Sequence, residues 1–180
     1  PTDNRELGKT ALESEPLSQQ FFVQPREPVE PADMDVELYV LRREIENEAL
    51  YRRLVGFGNR VFYVCSLSRT TVVYKGLLTC PQLRPYYPDL SDPRVTSAMV
   101  LVHARFSTNT LGAWDLAHPY RYLVHNGEIN TLRGNQNWMR AREAALASPR
   151  FGSDIERIRP LTAEGLSDSA QLDNVLELLV

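Results

Sequence analysis

The 180 residues, with 43% hydrophobic and 24% charged side chains and a formal net charge of −3, describe an ordinary soluble globular protein with a real core. That charge argues against bulk electrostatic binding of nucleic acid, and no apolar run approaches the length of a membrane span. Two cysteines, Cys65 and Cys80, form neither a CxxC nor a disulfide framework, so a reducing compartment is expected.

In chain order, Pro1 to Glu15 is polar and turn-rich, and Gln20 to Gln24 is a candidate short strand. Three prolines among charges make Pro25 to Pro31 an extended connection. Asp33 to Leu54 reads as a helix, with Asp33 and Asp35 suited to its N-terminal end and Arg52 and Arg53 to its C-terminal end. Leu38, Leu41, Ile45 and Ala49 form its expected apolar stripe, which leaves its Glu and Arg residues as a solvated face.

Val61 to Ser68 and Thr70 to Tyr74 are rich in β-branched and aromatic residues and predict a hairpin. Pro81 to Pro93 predicts a loop or short helix. Thr96 to His103 and Tyr120 to His125 predict two further strands, and Asn130 to Ala147 a helix despite Gly134. Ser167 or Ser169 is placed to cap a final helix with Leu172, Val175, Leu176 and Leu179 on one face. Adjacent strands with helices grouped before and after favour an α+β fold with largely antiparallel sheets over alternating βαβ units. Pro1 in place of Met, and Val180 inside an apolar helical pattern, give the expectation of one partial domain cut from a longer chain, with no signal peptide ahead of it.

Chemistry concentrates where the predicted strands end, a common place for binding groups. Arg105 follows one strand, and its guanidinium suits a carboxylate held by two parallel bonds; the competing role is a structural tie to a nearby acid. Asn126-Gly127 follows another. It is either a hairpin turn or an oxyanion hole in which the Asn amide and the Gly N–H meet one oxygen. Asp168 is either a helix cap or a receiver for an ammonium group.

His103, His118 and His125 are irregularly spaced and offer no metal pattern, so structural hydrogen bonding is expected of them. Cys65 is expected in the core, and neither cysteine is a candidate nucleophile. Arg133, Arg140 and Arg142 around Trp138 form only a weak nucleic-acid signal.

His103-x-Arg-Phe-Ser-Thr-Asn-Thr110, Trp114-Asp115, Tyr120 to Asn135 with its His-Asn-Gly-Glu-Ile-Asn-Thr-Leu-Arg-Gly-Asn run, and Leu166-Ser-Asp-Ser169 strongly resemble the class II glutamine amidotransferase domain of glutamate synthase large subunits. The resemblance covers most of the chain. It implies an N-terminal-nucleophile hydrolase fold, an αββα sandwich of mostly antiparallel sheets. The activity it implies is hydrolysis of glutamine to glutamate and ammonia, for reductive synthesis of glutamate from 2-oxoglutarate in a synthase domain of the same parent chain.

The parent is expected to use FMN and an iron–sulfur cluster, none of it held by this segment. A small reductase subunit or ferredoxin is the implied electron-donating partner, in a bacterial cytoplasm or a plastid stroma. By motif, Arg105 resembles the residue that grips the glutamine α-carboxylate, Asn126 and Gly127 the oxyanion-hole pair, and Asp168 the acid that receives the α-ammonium.

One departure stands out. The family nucleophile is an N-terminal cysteine, and residue 1 here is Pro, so the segment alone is expected to be inactive. Two other readings are open: another class II amidotransferase with a different acceptor, favoured less by the Ile129 to Arg133 extension, and a non-catalytic module that binds or packs.

Overall fold

The computed structural model describes residues 2–52, 54, 62–106, 112–125, 129–163 and 165–180. Their regular structure is helical: α1 (Lys9–Glu13), α2 (Pro31–Tyr51), α3 (Cys80–Tyr86), α4 (Leu132–Glu143) and α5 (Asp168–Leu179), with 3₁₀ turns at Pro88–Ser91 and Gly152–Glu156. Local chemistry explains the starts. Pro31 occupies the first turn of α2, where its missing N–H has no intrahelical acceptor to lose. Thr79 and Gln82 form a reciprocal capping box at α3. Ser167 Oγ accepts the Ala170 N–H at 3.2 Å and caps α5.

No β-strand forms among the described residues. This corrects the expected α+β architecture with its αββα sandwich. β-Branched and aromatic residues favour a pleated surface, but a strand exists only where a second backbone supplies ladder bonds. Along 62–74 side chains take backbone donors: Val73 N–H donates to Ser66 Oγ, and Thr70 and Thr71 N–H to Ser68 Oγ, each at 3.2 Å. Within 96–103 no neighbour covers Met99, Val100 and Val102, which are 75%, 70% and 70% exposed. At 120–125, Tyr120 N–H closes a turn onto the Leu123 carbonyl at 3.0 Å, and the Tyr122 and Leu123 N–H groups go to Asp173. Phe21 and Phe22, in the expected first strand, are exposed.

Among the described residues, two apolar clusters hold the chain together. Tyr39 and Val40 of α2 meet Ile155, Ile158 and Leu161, with Met139 of α4 and Leu178 of α5 against them. Leu7, Ala11, Tyr86 and Trp114 form the second, which brings α1 and α3 together. The stripe expected on α2 is only half right: Leu38 and Ala49 are buried, whereas Leu41 and Ile45 are exposed. The solvated charged face is also corrected, because Arg42 and Arg43 are buried. Arg42 pairs with Glu46 at 2.6 Å and with Glu177 of α5, and Arg43 donates to the carbonyls of Ile158 (3.1 Å) and Pro160. Buried guanidinium groups of this kind require such partners. On α5 likewise, the expected Leu172 and Leu179 are exposed, and the buried face carries Ser169, Gln171, Asp173 and Asn174.

Gly76 shows how tightly the second cluster closes. A Cβ there would lie 2.4 and 2.7 Å from two ring carbons of Trp114, whose Nε1 donates to the Ala11 carbonyl at 3.2 Å. The ring cannot retreat without opening the core, so Gly76→Ala is expected to lower unfolding free energy by about 1–3 kcal/mol. Urea titration followed by tryptophan fluorescence measures this; a midpoint equal to the parent protein's would show the ring has room.

Candidate functional site

The first residues of α5 meet the chain on both sides of 126–128. Asp168 accepts the Ile129 N–H through Oδ2 and the Ser169 N–H through Oδ1, the latter at 2.7 Å. Ser169 Oγ donates to the His125 carbonyl at 3.2 Å. The helix start therefore grips residue 125 just before, and residue 129 just after, the Asn-Gly-Glu segment. Because Ser167 makes the side-chain cap, capping is not the task of Asp168. Its carboxylate is half-buried; Oδ1 also faces Ser169 Oγ at 3.4 Å, and Oδ2 keeps a lone pair beyond the Ile129 bond it accepts. Asn126 and Gly127 themselves lie outside the described residues.

Arg105 is exposed, and its main chain is held by two histidines. Its N–H donates to His103 Nδ1 at 3.0 Å, and its carbonyl lies 2.9 Å from His118 Nδ1. The two imidazoles stand 4.7 Å apart. His118 also meets the Tyr120 ring edge-on at 4.5 Å, and the Tyr120 hydroxyl lies 2.9 Å from Ser167 Oγ. A continuous series of contacts thus runs from Arg105 through His118 and Tyr120 to the residue before Asp168. Burial, aided by the neighbouring His103, Lys75 and His125, holds the His118 imidazole below its ordinary value, against the pull of the Arg105 carbonyl.

The unfolded chain takes up the His118 proton first, so the stabilisation is fully present above about pH 6.5 and is lost as pH falls through the lower folded value. Expected is a midpoint that declines with acid in that window, and less so for His118→Asn. Parallel declines for both proteins would remove His118 as the source.

Beneath the site lies Lys75, a buried ammonium that sequence reading passed over as one of only two lysines. Its Nζ donates to the Asp115 carbonyl at 2.6 Å and sits 5.4 and 5.3 Å from the centres of the Tyr63 and Tyr120 rings. Burial pushes its pKa down, partly offset by Cys65, and burial pushes the Cys65 thiol up. A thiol so raised is a poor nucleophile at neutral pH. Tyr120 is pushed up to about 12, chiefly by burial. Among the described residues no group of three or more His, Cys, Asp or Glu is placed to hold a metal ion, and two separate thiols do not suit an iron–sulfur cluster, which takes four. No described helix is long and apolar enough to cross a membrane.

Comparison with known proteins matches the whole chain, residues 1–180, to the family described as glutamine amidotransferases class-II. The chain is 48% identical to the NADH glutamate synthase of Saccharomyces cerevisiae over 99% of its own length and 8% of that protein. It is 46% identical to the NADPH glutamate synthase large chain of Bacillus subtilis, over 100% of this chain and 12% of that one. Against the chloroplastic ferredoxin-dependent glutamate synthase of Spinacia oleracea the identity is 42%, over 100% of this chain and 11% of the relative. The chain therefore spans about a tenth of the length of the curated relatives it matches. A match that leaves no part of the chain out, carried by relatives well above chance identity, makes this chain a member of the class II glutamine amidotransferases.

Proposed function

We propose that this chain is the glutamine-recognising part of a glutaminase that works within a glutamate synthase. The observation that supports the reading is the grip of Asp168 and Ser169 on residues 129 and 125, the described flanks of the Asn126-Gly127 segment. In this reading Arg105 holds the glutamine α-carboxylate and Asp168 takes the α-ammonium. The Asn126 amide and Gly127 N–H meet the carboxamide oxygen as a thiolate adds to its carbon. Ammonia departs from the tetrahedral intermediate, and water then hydrolyses the thioester to glutamate and regenerates the thiol. In this reading the attacking cysteine is supplied from elsewhere in the parent enzyme, since burial raises the Cys65 thiol and leaves it a poor nucleophile.

The ammonia released is consumed, on this reading, in the reduction of 2-oxoglutarate to a second glutamate by FMN and an iron–sulfur cluster elsewhere in the parent. Relatives named for NADH, NADPH and ferredoxin share this segment. We therefore place the choice of reductase subunit or ferredoxin outside these residues.

Arg105→Lys in the full-length parent tests the reading. Lysine keeps the charge but cannot form the planar two-bond fork. The expected result is a raised KM for glutamine with synthesis from added ammonia preserved. An unchanged glutamine KM would remove Arg105 from carboxylate recognition.

A further inference from the structure

We propose that His103 and His118 are positioning residues that act on glutamine through Arg105, by fixing the two peptide groups that flank its α-carbon; the inference rests on the reading of Arg105 given above. The two rings play opposite hydrogen-bonding parts. His103 Nδ1 receives the Arg105 N–H at 3.0 Å and so carries no proton itself. The Arg105 carbonyl can only accept, so His118 Nδ1 carries a proton and donates at 2.9 Å. The network thus assigns a different tautomer to each neutral ring.

His118 Nε2 is buried without a hydrogen-bond partner among the described residues. A proton on it would add a buried charge with no acceptor and close to Lys75, which favours the neutral form. Each contact restrains a rotation at the Arg105 α-carbon, so together they fix the direction in which the Cα–Cβ bond of this exposed side chain leaves the backbone. The same His118 ring rests on Tyr120, whose hydroxyl reaches Ser167, the residue before Asp168. The two ends of the proposed amino-acid site, carboxylate and ammonium, are thereby held to one frame. A guanidinium that must meet a planar carboxylate in two parallel bonds gains most from such fixation.

The experiment uses the full-length parent with His103→Ala, His103→Asn, His118→Ala and His118→Asn. Asn Oδ1 replaces the acceptor at 103, and Asn Nδ2 the donor at 118. Glutamine KM and kcat are measured beside ammonia-driven synthesis, and hydrogen exchange of the Arg105 amide is followed by mass spectrometry. Each Ala variant is expected to raise glutamine KM about ten-fold, with kcat changing less and the Asn variants recovering most of the loss. Exchange at the Arg105 amide should quicken in His103→Ala and stay slow in His103→Asn.

Unchanged KM and unchanged exchange in His103→Ala overturn the proposal. So does a KM that rises equally in Ala and Asn variants, which would mark a packing role. If the Ala variants do not fold, an Arg105 amide that exchanges at the unprotected rate in the parent protein overturns it, and a protected one sustains it. A parent protein with no glutamine hydrolysis defeats the functional reading instead, and the exchange comparison then decides the histidine contacts by itself.

Discussion

Asp173→Ala is expected to remove about 3–5 kcal/mol of folding stability, the range for stranding one partner of a buried charge pair. Asp173 is 1% exposed. Its Oδ1 accepts the N–H groups of Tyr122 and Leu123 at 2.8 and 3.0 Å, and its Oδ2 accepts the Arg121 N–H at 3.3 Å. The Arg121 guanidinium also pairs with it at 3.2 Å. Alanine leaves those donors inside the protein without their acceptor. Arg121 would fall back on Asn174 and on Glu177, and the latter is already shared with buried Arg42.

The damage also reaches the site, because the turn at 120–123 leads directly into His125, whose carbonyl Ser169 holds. Asp173→Asn keeps one acceptor and the side-chain volume while removing the charge, so it should lose less than Ala. Urea titration of the full chain at constant m-value gives the numbers. A loss under about 1 kcal/mol for Ala would mean that water reaches the three N–H groups and replaces the carboxylate.

What could be read from the sequence follows how local each cause is. The start of α5 is written in neighbouring residues, Ser167 with Ala170, and α2 forms close to where spacing predicts it, although it opens at Pro31, which the sequence places in the extended connection. Which face each helix buries is not a local property. Arg42 is buried because Glu177, 135 positions later, stands opposite it; periodicity in α2 contains no trace of that partner. The strand expectations failed for a related reason. The valines of 72–73 and 100–102 record a preference for a pleated surface, and a ladder additionally needs a partner backbone, which no described residue provides.

At the site, Asp168 was visible from its place between two serines at a helix start. Its bond to Ile129 spans 39 residues and was not visible. The histidines looked irregular because their spacing fits no metal motif. The contacts that bring His103 and His118 to opposite sides of one residue depend on the turns between them.

Asn126→Ala in the full-length parent is expected to lower glutamine-driven kcat by about 10²–10³, the effect of losing one donor to a developing oxyanion. The amide matters only once the carboxamide oxygen carries negative charge, so KM should change less than kcat. Asn126 and Gly127 lie outside the described residues, whereas their flanks lie within them. His125 is anchored through its carbonyl to Ser169, and Ile129 through its N–H to Asp168, so both ends of the segment are tied to the same helix start. In the proposed reading that shared anchor spares the two donors a reorganisation during the reaction. The rival account takes Asn-Gly as a plain turn. On that account alanine at 126 reduces stability and yield of active enzyme, while each folded molecule turns over normally. Turnover per titrated active cysteine, read beside a melting curve, separates the two. Full turnover per site with a lowered melting point would make Asn126 a turn residue and empty the oxyanion hole of its side-chain donor.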